Sequence, residues 1–172
     1  MKSAIVRRGI ATAAVLGAAT VGVVVAAGSA SAMPAEGCNA DQVTTTLVAG
    51  SPGAGQRYAE VVFTAKAHQY CQLKGSIPVS LNGAPAITVS LDNASEAKVV
   101  HLRPGTSAHE LLHWTGIEAR ADQATPESIT VRTPGDRGQS VTLPWNQGPL
   151  DASADAHTLR VGVVEAGTGP AA

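Results

Sequence analysis

Ser107-Ala108-His109-Glu110-Leu111-Leu112-His113-Trp114-Thr115 is the stretch that decides the fold of this chain, because it can be read in two ways. Coiled into a helix, it is an H-E-x-x-H motif. Residues four apart share a helix face about 6 Å apart. His109 and His113 could then hold one Zn²⁺, and Glu110 would activate the bound water as general base. Ser107 and Glu110 would form a capping box, with Gly116 as the C-terminal stop. Gly116 also falls where the longer pattern H-E-x-x-H-x-x-G-x-x-H wants glycine. Read this way, the chain is a small secreted zinc metallopeptidase with His109 and His113 as metal ligands and Glu110 as the catalytic residue. Extended into a strand, the same residues do something else. His109, Leu111 and His113 share the outer face, while Ala108, Leu112 and Trp114 point inward. The two imidazoles then stand about 13 Å apart, too far for one ion. Glu110 is the awkward residue of the strand reading, because its parity also points inward.

Three features favour the strand. The third ligand position of the longer pattern holds Ala119, and the carboxylates of Glu118, Asp122 and Glu127 miss the required spacing. A helix over this stretch is barely two turns and needs packing to exist. Everything around it also has strand character. Gln42 to Val48 is β-branched, and Ser51 to Gly55 is a turn cluster. Tyr58 to Ala65 alternates, with Ala59, Val61, Phe63 and Ala65 on one face and Val62 as an imperfection on the other. Cys71 to Lys74 and Val79 to Leu81 are short runs, Asn82-Gly83 is a tight-turn signal, and Ala86 to Leu91 follows. Lys98 to Leu102 runs into the turn Arg103-Pro104-Gly105. Ile129 to Val131, then Val141, Leu143 and Trp145, then Leu159, Val161 and Val163 continue the pattern. Asp151 to His157 is small and polar, which predicts a long loop, and Glu165 to Ala172 predicts a loose tail. Eight or nine short strands with turns between them predict an all-β fold, an antiparallel β-sandwich.

The first 32 residues predict an export signal. Lys2, Arg7 and Arg8 make a positive start, an apolar run follows from Gly9 to Gly28, and Ala30-Ser31-Ala32 is a small-residue cleavage site. Cleavage between Ala32 and Met33 is preferred to retention as a membrane anchor, and no membrane span is expected after removal. Arg7-Arg8 leaves a twin-arginine route open beside the general one. Cutting the three leader cations from the 12 Lys and Arg leaves nine against 13 Asp and Glu, a net charge of −4. Residues 33–37 then form a short tail, 38–166 the domain, and 167–172 a C-terminal tail. Export predicts oxidised cysteines, and Cys38 and Cys71 are the two candidates. The alternative, a pair of free thiols in redox chemistry, lacks a C-x-x-C.

With 3% aromatic residues and a net charge of −1, the chain carries neither the basic surface nor the stacking platforms of a nucleic-acid binder. No G-x-S-x-G or phosphate-loop motif is present, and Gly53-Ala54-Gly55 is a turn. His68, His101 and His157 stand isolated. Trp114 and Trp145 could form a sugar platform, but both lie at core parity. Asn93-Ala94-Ser95 is an acceptor sequon that matters only in a eukaryotic secretory pathway.

Several patches stand in a telling order: Cys38; Gly55 with Tyr58 and Val61 to Thr64; Cys71-Gln72-Leu73-Lys74-Gly75, a C-x-L-x-G; and Val79-Ser80-Leu81. They continue with Leu102 to Ala108, an L-x-P-G-x-x-A, then Leu112 and Trp114, Ile129 to Pro134, and Leu159 to Val163. Taken together they resemble the DUF4232 domain, a family of exported actinobacterial proteins without an established biochemical function. The resemblance covers 38–164. It implies an immunoglobulin-like sandwich, a Cys38–Cys71 bridge, and a strand at Ser107 to Thr115. The chain departs from the family at Ala65, where Asn is usual, and at Gly75-Ser76-Ile77, where G-Y-P is usual. It also lacks the second cysteine pair many members carry. The expectation is an exported, non-enzymatic domain that binds or supports something at the envelope or outside the cell. No cofactor is expected, and the partner is unidentified.

Overall fold

A computed structural model describes residues 36–91 and 98–169. The expected export signal, the expected Ala32–Met33 cleavage site and the Asn93 sequon lie outside the described residues. In chain order the strands are β1 (Val43–Ala49), β2 (Gln56–Ala65), β3 (Cys71–Lys74), β4 (Val79–Asn82), β5 (Thr88–Leu91), β6 (Val99–Leu102) and β7 (Ser107–Thr115). They are followed by β8 (Gln123–Ala124), β9 (Ser128–Arg132), β10 (Ser140–Pro144), β11 (Leu150–Asp151), β12 (Thr158–Val161) and β13 (Glu165–Ala166). The fold is all-β, with one 3₁₀ turn at Arg120–Asp122 among the described residues.

The largest sheet has the order β1-β2-β7-β12-β5, and β13 also pairs with β7. β2 and β7 run antiparallel over their whole lengths, from Gln56 opposite Thr115 to Thr64 opposite Ser107. β1 joins β2 through the turn that ends at Gly55, which adopts φ +83°, a conformation suited to glycine. β7 has two short partners on its far edge. β12 pairs at Leu112 and His113, and β13 pairs at Ala108 and His109. The remaining ladders are β10-β9-β4, β11-β8 and β3-β6.

One pairing departs from the purely antiparallel expectation. β12 and β5 are parallel, from Thr158 opposite Thr88 to Val161 opposite Leu91. The reason lies at Asn82-Gly83. Gly83 does make a left-handed turn at φ +82°. However, β4 pairs with β9 and β5 with β12, so the chain changes sheets there instead of doubling back on itself.

Alternation along the strands builds the core. Ala59, Val61, Phe63 and Ala65 of β2 and Ala108, Leu112 and Trp114 of β7 are all buried. They meet Ile129 and Val131 of β9, Leu73 of β3 and Leu102 of β6 in one continuous apolar cluster. Phe63, the single phenylalanine, is fully buried, and most of the rest is aliphatic. Val62 is only 6% exposed although it sits on the opposite face, so β2 is covered on both sides there. The buried Cys38–Cys71 disulfide ties the start of the domain to β3, with a Cα separation of 4.9 Å. A parallel bridge from Gly37 to Gln72 runs beside it.

The loose tail expected after Glu165 is in part ordered. β13 adds to β7, and the backbone at Gly169 lies against the Glu60 carboxylate. Small residues suit this because the backbone can approach closely.

Candidate functional site

The two faces of β7 separate the residues of the H-E-x-x-H motif. Burial alternates residue by residue from Ser107 to Thr115. His109, Leu111 and His113 look outward, whereas Glu110 is fully buried among the apolar residues of the inner face. Four residues of extended chain hold the imidazoles about 13 Å apart. The structure therefore brings neither histidine to the other, nor the glutamate to either. No group of three or more His, Cys, Asp or Glu side chains among the described residues is placed to hold a metal ion.

Glu110 has a structural task. Its Oε1 accepts the backbone N–H of Ile77 at 2.5 Å, in the segment joining β3 to β4. Its Oε2 is buried without a partner. Burial pushes the carboxyl up to about 8, against the lowering effect of the Ile77 N–H. The group is thus a neutral acid near pH 7, because the low-dielectric interior penalises the charged form. That answers the awkward parity seen in the sequence. A protonated carboxylic acid is tolerable where a carboxylate is not.

The two histidines have different surroundings. His109 lies beside β13, with Nδ1 3.3 Å from the carbonyl oxygen of Gly167. His113 stacks on Tyr58, with ring centroids 4.9 Å apart and planes 12° from parallel. Its Nε2 also hydrogen-bonds the Gln56 side-chain oxygen. Burial, and then the charge of Arg160, hold His113 below the usual imidazole value. Beside it opens a polar cleft of about 160 Å³ bounded by β2, β7, β12 and the loop before β12.

Asp151 is the site residue that the sequence reading missed. Assigned to a polar loop, it instead lies in β11 and is fully buried. The backbone N–H of Ile117 donates to both carboxylate oxygens at 3.1 Å. The Glu118 N–H donates to Oδ1 at 3.0 Å, as does the Gln123 side chain at 3.2 Å. Burial alone would raise this carboxyl, but the Ile117, Glu118 and Gln123 donors outweigh it and hold the group below its usual value. It is a fixed anion that organises the chain between β7 and β8. Its local sequence offered no signal, since its partners, the backbone of Ile117 and Glu118 and the side chain of Gln123, lie 28 to 34 residues away.

Trp114 and Trp145 are core residues, as their parity predicts. Their rings meet at 5.1 Å, and their N–H groups donate to Pro149 and Gly148. His68 and His101 are exposed. His157 contacts the Ser153 carbonyl through Nδ1 at 3.0 Å.

A protein-family profile described as "Domain of unknown function (DUF4232)" matches residues 38–165. The chain belongs to the DUF4232 family. No curated protein and no solved structure gives a significant match. The DUF4232 patches can now be placed on the fold. Cys71 to Gly75 is β3 with its exit, where Gly75 takes φ +73°. Leu102 to Ala108 is the end of β6, the turn at Gly105 with φ +77°, and the start of β7. In this DUF4232 domain both patches lead to Glu110: the first runs on to Ile77, whose N–H the carboxyl accepts, and the second opens β7, which carries Glu110 itself.

Proposed function

We propose that this DUF4232 domain is an exported, non-enzymatic β-sandwich of immunoglobulin-like type, with a binding or structural role at the cell envelope or outside the cell. The observation that carries this reading is the extended course of Ser107–Thr115, with the histidines outside and Glu110 inside. Such an arrangement supplies no water-activating base beside a metal. The sandwich reading is supported by sheets of mostly antiparallel strands whose buried faces share one core. Export is supported by the leader sequence and by the Cys38–Cys71 bridge, since disulfides persist in oxidising compartments. Among the described residues, no helix is long and apolar enough to cross a membrane.

Two measurements test the proposal. Mass spectrometry of protein recovered from the medium of a bacterial host should give a chain beginning at Met33. Elemental analysis of untagged protein should find zinc far below one equivalent, with no chelator-sensitive casein cleavage. Stoichiometric zinc lost on His113→Ala would refute the non-enzymatic reading. Retention of the uncut chain in the cytoplasm would refute export.

A further inference from the structure

The cleft beside His113 carries two opposite charges that do not meet. Arg160 stands on β12 directly across from His113, and Asp155 enters from the preceding loop. Both are exposed, and both line the cavity with Gln56, Thr115 and Thr158. The one ion pair among the described residues is Arg137 with Asp41, so Arg160 and Asp155 face the same space without closing on each other. Tyr58 stacks on His113 from β2. The walls therefore carry one positive and one negative charge, held apart and summing to zero.

That pattern selects a ligand chemistry. A simple anion would gain Arg160 and be opposed by Asp155, and a simple cation would meet the reverse. An apolar molecule would strip water from both charges and from two hydroxyls without replacing it. A molecule that carries both signs satisfies both walls. The cavity of about 160 Å³ is close to one that holds a benzene ring, which limits the occupant to roughly six to eight heavy atoms. We propose that this cleft binds a small zwitterion of the amino-acid class, its carboxylate on Arg160 and its ammonium group on Asp155. The guanidinium offers a carboxylate two parallel donors. The Thr158 hydroxyl and the Gln56 side-chain N–H₂ are left for the remaining polar atoms, since the Gln56 oxygen is held by His113 and the Thr115 hydroxyl by the Ala156 carbonyl.

The inference rests on the binding role proposed above and names its ligand class. The zinc and export measurements are independent of it, so its failure leaves those parts standing. His113 is a built-in reporter, because its imidazole senses the charge of Arg160. Its ring proton resonances, assigned with His113→Gln, are followed while glycine, L-serine, acetate, methylammonium or glucose is added. Glycine and L-serine should shift them to saturation at millimolar concentration. Acetate and methylammonium should each need at least tenfold more. Arg160→Gln and Asp155→Asn should each weaken glycine binding at least tenfold with an unchanged urea midpoint. The proposal is overturned if neither zwitterion gives a saturable shift, if acetate, methylammonium or glucose matches glycine, or if the two variants bind glycine as the parent does.

Discussion

Glu110 should make this protein less stable as pH rises through neutrality. Its carboxyl titrates near 8 in the fold, against 4.5 for an ordinary glutamate. Between those values the unfolded chain has lost the proton that the folded chain keeps. Folding stability therefore falls with rising pH in that window, and this group contributes no slope below or above it. Each unit is worth about 1.36 kcal/mol, so the whole window amounts to about 5 kcal/mol and the interval from pH 5 to 8 to about 4 kcal/mol. The comparison must be a difference, so that any other group that changes charge in the interval cancels. Glu110→Gln keeps an acceptor for the Ile77 N–H and has the shape of the neutral acid, but it cannot ionise. Urea unfolding followed by the fluorescence of buried Trp114 and Trp145 would be run at pH 5, 6, 7 and 8. At pH 5 the two proteins should be within about 1 kcal/mol of each other, as expected for near-isosteric neutral groups. By pH 8 the variant should be more stable than the parent by about 4 kcal/mol. Parallel pH profiles would show that Glu110 ionises as freely in the fold as in the open chain, and the account of its burial would be wrong.

Other consequences are as direct. Replacing Cys38 and Cys71 by serine should lower stability by about 4 kcal/mol, the chain-entropy value for a separation of 33 residues, read from the urea midpoint. Asp151→Asn should cost about 2 kcal/mol at pH 7, because the amide loses charge-assisted bonds and turns an N–H₂ toward existing donors. The parent should also lose Asp151's contribution as pH falls from 3.8 through its lowered folded value, a loss absent from the variant. His113 should titrate below 6.5 by proton NMR, and Arg160→Gln should move it upward by removing the opposing charge.

Strand identity was legible because it depends on local period. Alternation in Ser107 to Thr115 and in Ile129 to Val131 marks which side is buried, and the structure follows that marking, whereas in Tyr58 to Ala65 the marked side is buried but Glu60 and Val62 opposite are covered as well. What alternation cannot carry is partner choice. Nothing local distinguishes Asn82-Gly83 inside a hairpin from the same turn between sheets, and nothing in Thr158 to Val161 announces a parallel neighbour 70 residues earlier. The motif at His109 was ambiguous for a related reason. Residues four apart share a face in a helix and in a strand, so the missing third ligand and the strand-like surroundings had to separate the two, with the inward parity of Glu110 left unexplained until its burial was seen. Asp151 stayed hidden because its role comes from donors at Ile117, Glu118 and Gln123, which reach it only through the tertiary fold.

The position of β12 has a consequence for how the chain matures. It is the element that joins β5 to β7, and it follows both of them in the chain. Until residue 161 has emerged, both neighbours present open edges. β5 thus has no partner in the principal sheet until β12 arrives to bridge it to β7. A translating or translocating chain leaves those edges open to foreign strand partners until β12 arrives.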